Sequence, residues 1–264
     1  MKASYHNGRI GNPRHNDRTF DIKKAKHIDE EKMALNKYVC VHPEFLEDRE
    51  KHPHPFAEAE KKFYSENFAE YLDQWNEKVR KQRNYSRRKN VNDLLNGSRT
   101  KPEETIIQLG NIDDHPEDRG ILLDIFNELQ GYSNKITHHH CKILDAALHM
   151  DESTPHIHLR KVWMYKENGI NMIGQEKALE HAGIGLPYPD LPASKYNNRK
   201  MVYDAMMREK LYQLCKERGL EIDEVPDPNN RVHLTKEQYV EKILADRERA
   251  EKKREKEKEK EKRQ

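Results

Sequence analysis

The chain lacks what an exported or membrane-bound protein needs, and it is short of apolar residues altogether. Its three cysteines, Cys40, Cys141 and Cys215, lie far apart and form no C-x-x-C pair, so neither a disulfide framework nor a zinc knuckle is indicated and a reduced setting fits. No uncharged apolar run approaches the length of a membrane span. The N-terminal stretch MKASYHNGRIGNPRHNDR has no apolar segment of the signal-peptide kind. A soluble, cytoplasmic protein without membrane insertion is expected. Hydrophobic residues make up 34% of the 264 positions and charged residues 36%, so a core of full depth is expected in part of the chain, with polar helices and a tail in the rest.

Net charge is only +2, and its distribution says more than its sum. Between Lys78 and Lys101 the basic side chains Arg80, Lys81, Arg83, Arg87, Arg88 and Lys89 crowd together around Tyr85, with Asp93 the one acid. Such a strip can neutralise several phosphates and offers an aromatic for base stacking. Residues 103–128 are acidic by contrast. Beyond residue 235 the chain turns into Glu, Lys and Arg of alternating sign, which cannot bury itself. The expected organisation is a domain over 1–234 followed by a charged helical or disordered tail over 235–264.

Periodicity supplies the elements. Residues 1–30 read as extended loop around a short strand, and 35–41 (LNKYVCV) as a strand ending before Pro43. Apolar residues from Phe56 to Val79 recur at three- and four-residue steps, predicting one long amphipathic helix to about residue 91. A strand at 104–109 precedes a helix at 118–129. The runs 139–149 and 156–164 read as an antiparallel pair joined by MDESTP, with 170–173 able to continue the sheet. A long loop over 183–198 leads to a helix over 201–218 closed by Gly219. The expected fold class is α+β, a central antiparallel sheet with flanking helices.

The densest chemistry lies in LHMDESTPHIHL, residues 148–159. His156 and His158 are two apart in a strand, so their rings leave the same face with backbones roughly 6 to 7 Å apart. His149 ends the preceding strand, and a short loop with Pro155 brings it alongside. Three imidazoles with open positions suit a catalytic metal. The triplet His138, His139 and His140 is different, since consecutive residues of an extended chain alternate faces, and it is expected as an exposed strand entry.

HMDESTPHIH resembles the motif H-x-D-E-x-x-P-H-x-H of the MobV-type relaxases, the Mob/Pre plasmid mobilisation and recombination proteins of the His-hydrophobic-His endonuclease superfamily. The resemblance implies a relaxase-like sandwich fold. It implies a divalent metal, Mn²⁺ or Mg²⁺, held by His149, His156 and His158, and a carboxylate, Glu152, beside the nucleophile. HNDR at residues 15–18 resembles the family's early H-N-x-R motif. That implies His15 as the nucleophile, forming a phosphoramidate with the DNA 5′ end, and Arg18 positioning the phosphate or the imidazole. LNKYVCV resembles the family's N-Y strand apart from an inserted Lys37, which sets a DNA-contact role for Asn36 and Tyr38 against a packed-strand role for Tyr38. The implied partners are single-stranded or supercoiled plasmid DNA at an origin of transfer, and conjugation coupling machinery. A replication initiator or transposase with a tyrosine nucleophile, Tyr5 or Tyr38 being near the N-terminus, remains an alternative, as does a DNA-binding protein without catalysis.

Overall fold

The computed structural model describes residues 1–8, 11–25, 28–45, 55–111, 114–116 and 118–223. The chain divides into two units, Met1–Glu224 and Val225–Gln264, and the expectations for the tail and its boundary at 234/235 lie outside the described residues.

Six strands form one antiparallel sheet: β1 (Ala3–Asn7), β2 (Lys37–Cys40), β3 (Glu103–Leu109), β4 (Cys141–His149), β5 (His156–Glu167) and β6 (Ile170–Ile173). Their order is β1-β3-β5-β4-β2, with β6 on β5. The α+β class and the β4–β5 hairpin agree with the sequence. The helices are α1 (Pro13–Asn16), α2 (Phe56–Asn67), α3 (Ala69–Lys81), α4 (Val91–Asn96), α5 (Arg119–Thr137), α6 (Gln175–His181) and α7 (Arg199–Glu217).

One sheet face is sealed by α5 and α7. Leu122, Ile125, Phe126 and Leu129 of α5 and Tyr203, Met207, Leu211 and Leu214 of α7 pack on Tyr5, Ile107, Leu148, Ile157 and Leu159. The other face is covered over half its length, where Tyr64, Phe68, Leu72 and Leu94 meet Leu144, Val162 and Met164. Beside them Phe56 and Ala59 cover Cys40 and Ala147. The rest of that face holds the histidines.

A β-bulge decides which side chains of β4 reach that face. Ile143 pairs with Lys161, but Asp145 pairs with Arg160, so one extra residue sits between them. Cys141 therefore belongs to the α5/α7 side, whereas Ala147 faces the other way and His149 comes to lie directly opposite His156. A bulge changes the face that subsequent odd-numbered residues occupy.

Three expectations are corrected. The long helix from Phe56 is two helices, because Phe68 leaves helical geometry at φ −120°, ψ 16°, and the second ends at Lys81, with Arg83 at φ +53°. The helix foreseen over 118–129 runs through Gly131 to Thr137. Its Asp118 cap accepts from Gly120 N at 2.7 Å, and its buried leucines outweigh the roughly 1 kcal/mol cost of an interior glycine. His138 and His139 are not strand entry: both take left-handed backbone, φ +46° and +61°, and turn the chain out of α5, so β4 begins only at Cys141.

Candidate metal centre

The three motif histidines converge. His149 comes from the end of β4, His156 and His158 from the start of β5, and their ring centroids lie 4.8 to 5.4 Å apart. Each ring donates one N–H outward to an oxygen. His156 Nδ1 donates to Thr154 O at 2.8 Å, His149 Nε2 to Asn16 O at 2.8 Å, and His158 Nδ1 faces Glu104 Oε1 at 3.3 Å. A neutral imidazole carries one N–H, so the remaining nitrogens bear lone pairs. They are His156 Nε2, His158 Nε2 and His149 Nδ1.

Those lone pairs face inward with no protein donor between them. His156 Nε2 and His158 Nε2 stand 2.9 Å apart. His149 Nδ1 is buried without a hydrogen-bond partner, and it faces Glu152 Oε1 at 3.4 Å. Burial lowers the proton affinity of all three rings, which keeps them neutral ligands. Two nitrogens about 2.1 Å from one ion and at right angles around it would be about 3 Å apart. The donor set therefore fits a divalent cation with open positions, held by three imidazoles whose outward N–H bonds fix tautomer and ring plane.

His15 stands beside this centre. Asn12 caps α1 by accepting from Arg14 N at 3.1 Å, and Pro13 takes the first helical position, a combination suited to a helix start. The His15 ring stacks on Phe20 with centroids 5.7 Å apart and meets His149 and His158 edge-on, each at 5.6 Å. One donor atom each from His15, His149 and His158 lie within 4.8 Å of one another. With 28% of its side chain accessible, His15 is more open than Glu152 at 18% and far more so than His149 at 0%. It is the imidazole an incoming group would meet.

Arg18 ties the parts together from a left-handed backbone, φ +60°. Its guanidinium grips Asp151 through two bonds, Nε to Oδ2 at 2.9 Å and Nη2 to Oδ1 at 2.6 Å. It also donates from Nη2 to Glu152 Oε1 at 2.8 Å and from Nη1 to His15 O at 2.9 Å, and Nη1 lies 3.3 Å from His15 Nε2. Such bidentate, charge-assisted contacts fix orientation as well as position. Glu152 Oε1 lies 3.4 Å from His15 Nε2. Burial alone would raise its carboxyl, but its polar neighbours, with the Arg18 guanidinium donating directly to it, outweigh that and hold it far below the ordinary carboxylate range. Glu152 is thus a permanent anion between the nucleophile candidate and the metal-ligand candidates.

The structure brings His15, Arg18, Glu152, His149, His156 and His158 together. Asn36 joins them as a brace: its amide donates to Asp151 Oδ2 at 2.7 Å and to Tyr38 OH at 3.2 Å, and it accepts from Met150 N at 2.6 Å. Tyr38 packs edge-on to Phe56, and burial raises its phenol. Tyr5 lies on the opposite sheet face, where its hydroxyl meets Lys161 Nζ at 3.0 Å. The basic strip is partly occupied: Arg80 and Lys81 pair with Glu77, Arg87 and Lys89 lie over Trp75, and Arg88 lies over an exposed Tyr85.

Sequence reasoning missed Glu104 and Asn16. Glu104 receives Asn16 Nδ2 at 2.9 Å on the same oxygen that faces His158, and Asn16 O receives His149. Adjacent acids at the mouth of a strand, Glu103 and Glu104, were the available signal, since one of two consecutive strand residues must face each way.

No protein-family model and no curated protein matches the sequence. Among solved structures the chain is similar to the MobM relaxase domain (MOBV; Mob_Pre) bound to plasmid pMV158 oriT DNA of 22 nucleotides, a Mn-bound crystal structure at pH 4.6. The identity is 15% and the TM-score 0.50, over 91% of this chain and all of that one. A second crystal structure of that complex, at pH 5.5, has 17% identity and a TM-score of 0.49, over 91% and 99%. The fold is that of the relaxase domain, from the family whose motif HMDESTPHIH resembles.

Proposed function

We propose that this chain is a MobV-type relaxase, a metal-dependent enzyme that nicks one strand of plasmid DNA at an origin of transfer and stays joined to it through His15. The observation that carries the reading is the inward convergence of three unprotonated ring nitrogens beside an accessible fourth imidazole, with a permanent carboxylate between them. The Mn²⁺ and oriT DNA in the MobM crystal structure suit the same chemistry.

His149, His156 and His158 would hold Mn²⁺ or Mg²⁺, which when bound supplies charge stabilisation to the oxygens of the scissile phosphate. A neutral His15 nitrogen attacks phosphorus. The N–P bond forms as the P–O3′ bond breaks, leaving a phosphoramidate on the 5′ end and a free 3′ hydroxyl once its oxygen takes a proton. Attack makes the ring cationic, and Glu152 stabilises that charge while Arg18 fixes the ring and its carboxylate partner. Reversal by the 3′ hydroxyl rejoins the strand. The exposed Arg83, Arg87 and Arg88 of the strip, with Tyr85, would contact DNA away from the chemistry, and conjugation coupling machinery would receive the adduct.

A tyrosine nucleophile is disfavoured by the burial of Tyr5 on the far sheet face and by the raised phenol of Tyr38. The test is relaxation of supercoiled plasmid carrying the protein's own origin, with Mn²⁺. Wild type should relax it and leave a protein–DNA adduct mapping to His15, and His15→Ala should do neither. Undiminished nicking by that variant, or an adduct on Tyr38, overturns the assignment.

A further inference from the structure

A second polar cavity adjoins the metal centre. β3 begins with Glu103 opposite Lys161, and β6 ends with Ile173 opposite Met164, both on the edge of β5 away from β4. Val162 and Trp163 separate the two strands along that edge, and the gap opens into a cleft of 690 Å³ whose lining includes Lys89, Arg99, Lys101, Tyr71, Tyr165 and Glu104.

Two of the three acids of this cleft are paired with cations, and the third, Glu104, faces a neutral imidazole. Glu103 meets Lys161 at 3.2 Å and Lys200 at 3.0 Å, Glu104 faces His158, and Glu176 pairs with Arg199. Lys89, Arg99 and Lys101 make no ion pair among the described residues, and Arg99 and Lys101 are exposed. The cleft therefore presents three cations without ion-pair partners, Lys89, Arg99 and Lys101, against the one unpaired carboxylate of Glu104.

The backbone that presents these cations is pinned. Asn76 clasps Lys89 from both sides, donating to its O at 2.8 Å and accepting from its N at 2.9 Å. Tyr64 OH donates to Thr100 O at 2.7 Å, Thr100 Oγ1 to Leu94 O at 2.7 Å, and Lys101 N to Gly97 O at 2.9 Å. A Cβ on Gly97 would lie 2.4 Å from Thr100 Oγ1, so the turn is closed on itself. A backbone already ordered leaves only the side chains to be fixed on binding.

The cleft and the histidine centre share a wall. Glu104 lines the one and faces His158 in the other, and Gly11, which also lines the cleft, leads into the cap of the helix that carries His15. We propose that this cleft is a single-stranded DNA subsite, in which Lys89, Arg99 and Lys101 hold phosphodiesters flanking the scissile one while Tyr71 and Tyr165 offer ring surface to bases. The assignment rests on the relaxase reading for its substrate and on charge and continuity for its place. It sets the DNA path apart from the strip of Arg80 and Lys81, whose charges Glu77 already answers.

The test is binding of a fluorescent dT12 oligonucleotide to the full chain between 50 and 200 mM NaCl. Loss of two phosphate contacts in Arg99→Ala/Lys101→Ala should reduce the slope of log affinity against log salt by about 1.4, and Tyr165→Leu should weaken binding about tenfold. Lys135→Ala/Arg208→Ala, which removes equal charge from α5 and α7, should keep the wild-type slope. Mn²⁺ affinity by calorimetry should be the same in all four proteins, which shows that the cleft variants are folded. A wild-type slope in Arg99→Ala/Lys101→Ala, or an equal loss in the α5/α7 control, overturns the subsite. Absence of a His15 adduct with cleft-dependent binding intact would overturn the reaction and leave the subsite standing.

Discussion

Strands β3 and β5 carry a buried polar cluster on each face, and the two are built on opposite plans. On the α5/α7 side the Lys161 ammonium is enclosed by the rings of Tyr5, Tyr203 and Trp163 at 5.1 to 5.6 Å and faces Glu103 at 3.2 Å. Burial would raise Glu103, but Lys161 and Lys200 hold it at about 2. Opposite charges meet inside the fold, and nothing more is required. On the other side, reached by moving one residue along β3 and three along β5, His158 and Glu104 belong to a group whose free ring nitrogens face one another. One cluster is completed within the chain, whereas the other leaves His149 Nδ1 buried without a hydrogen-bond partner. Burial of polar groups alone marks neither as a ligand site; what distinguishes them is where the unshared electron pairs point.

The largest effect that would test this contrast is Lys161→Met. Removing one partner of a buried ion pair costs about 3–5 kcal/mol, read as a fall in the denaturant midpoint. Mn²⁺ at a hundred times its Kd should add about 2.7 kcal/mol to wild type and Lys161→Met alike, and nothing to His158→Ala. An equal Mn²⁺ gain in His158→Ala would erase the distinction between the two clusters.

Exchanging the neighbouring carboxylates sharpens it further. Glu104→Gln should weaken Mn²⁺ binding about 10- to 100-fold in calorimetric titration, as loss of a histidine's outer partner does, with only a small change in metal-free stability. Glu103→Gln should do the reverse. If both variants lose metal equally, Glu104 does not orient His158.

The smallest effect is in the pH dependence. Glu103 has a folded value of about 2 against an ordinary 4.5, so its contribution is fully present above pH 4.5 and is lost only as pH falls toward 2. His149, His156 and His158 lie below their ordinary 6.5 when folded. As pH drops below 6.5 the unfolded chain takes up protons first, and metal-free protein should lose stability until the folded values are passed. Unfolding free energies measured from pH 8 to 5 should slope downward on acidification in wild type and Glu103→Gln, and less steeply in His158→Ala. A flat wild-type profile would contradict the burial of these rings.

The hairpin that carries His149, His156 and His158 was legible because its chemistry is local. A two-residue repeat in a strand fixes a common face, and HMDESTPHIH spans one turn. His15 was legible only through its resemblance to a motif, and the geometry that justifies it, a stack on Phe20 and a contact with Glu152, is not written in adjacent letters. Glu104 and Asn16 were passed over because their partners lie 54 and 133 residues away. The helix over 56–81 was read as unbroken because its apolar phase runs on through Phe68, where only the backbone changes. Gly131 looked like a stop, yet burial along α5 carried the helix past it. In each case a local signal was present and a distant contact decided the outcome.

The extra residue in β4 has a consequence for how such signatures should be used. Had Ile143 and Asp145 been in step with the neighbouring strand, His149 would occupy the side that α5 and α7 seal, back to back with His156 and His158. The tripod thus depends on a count of residues upstream of the letters that advertise it. A relative that kept all ten letters but gained or lost one position between Cys141 and Ala146 would carry the signature without the grip.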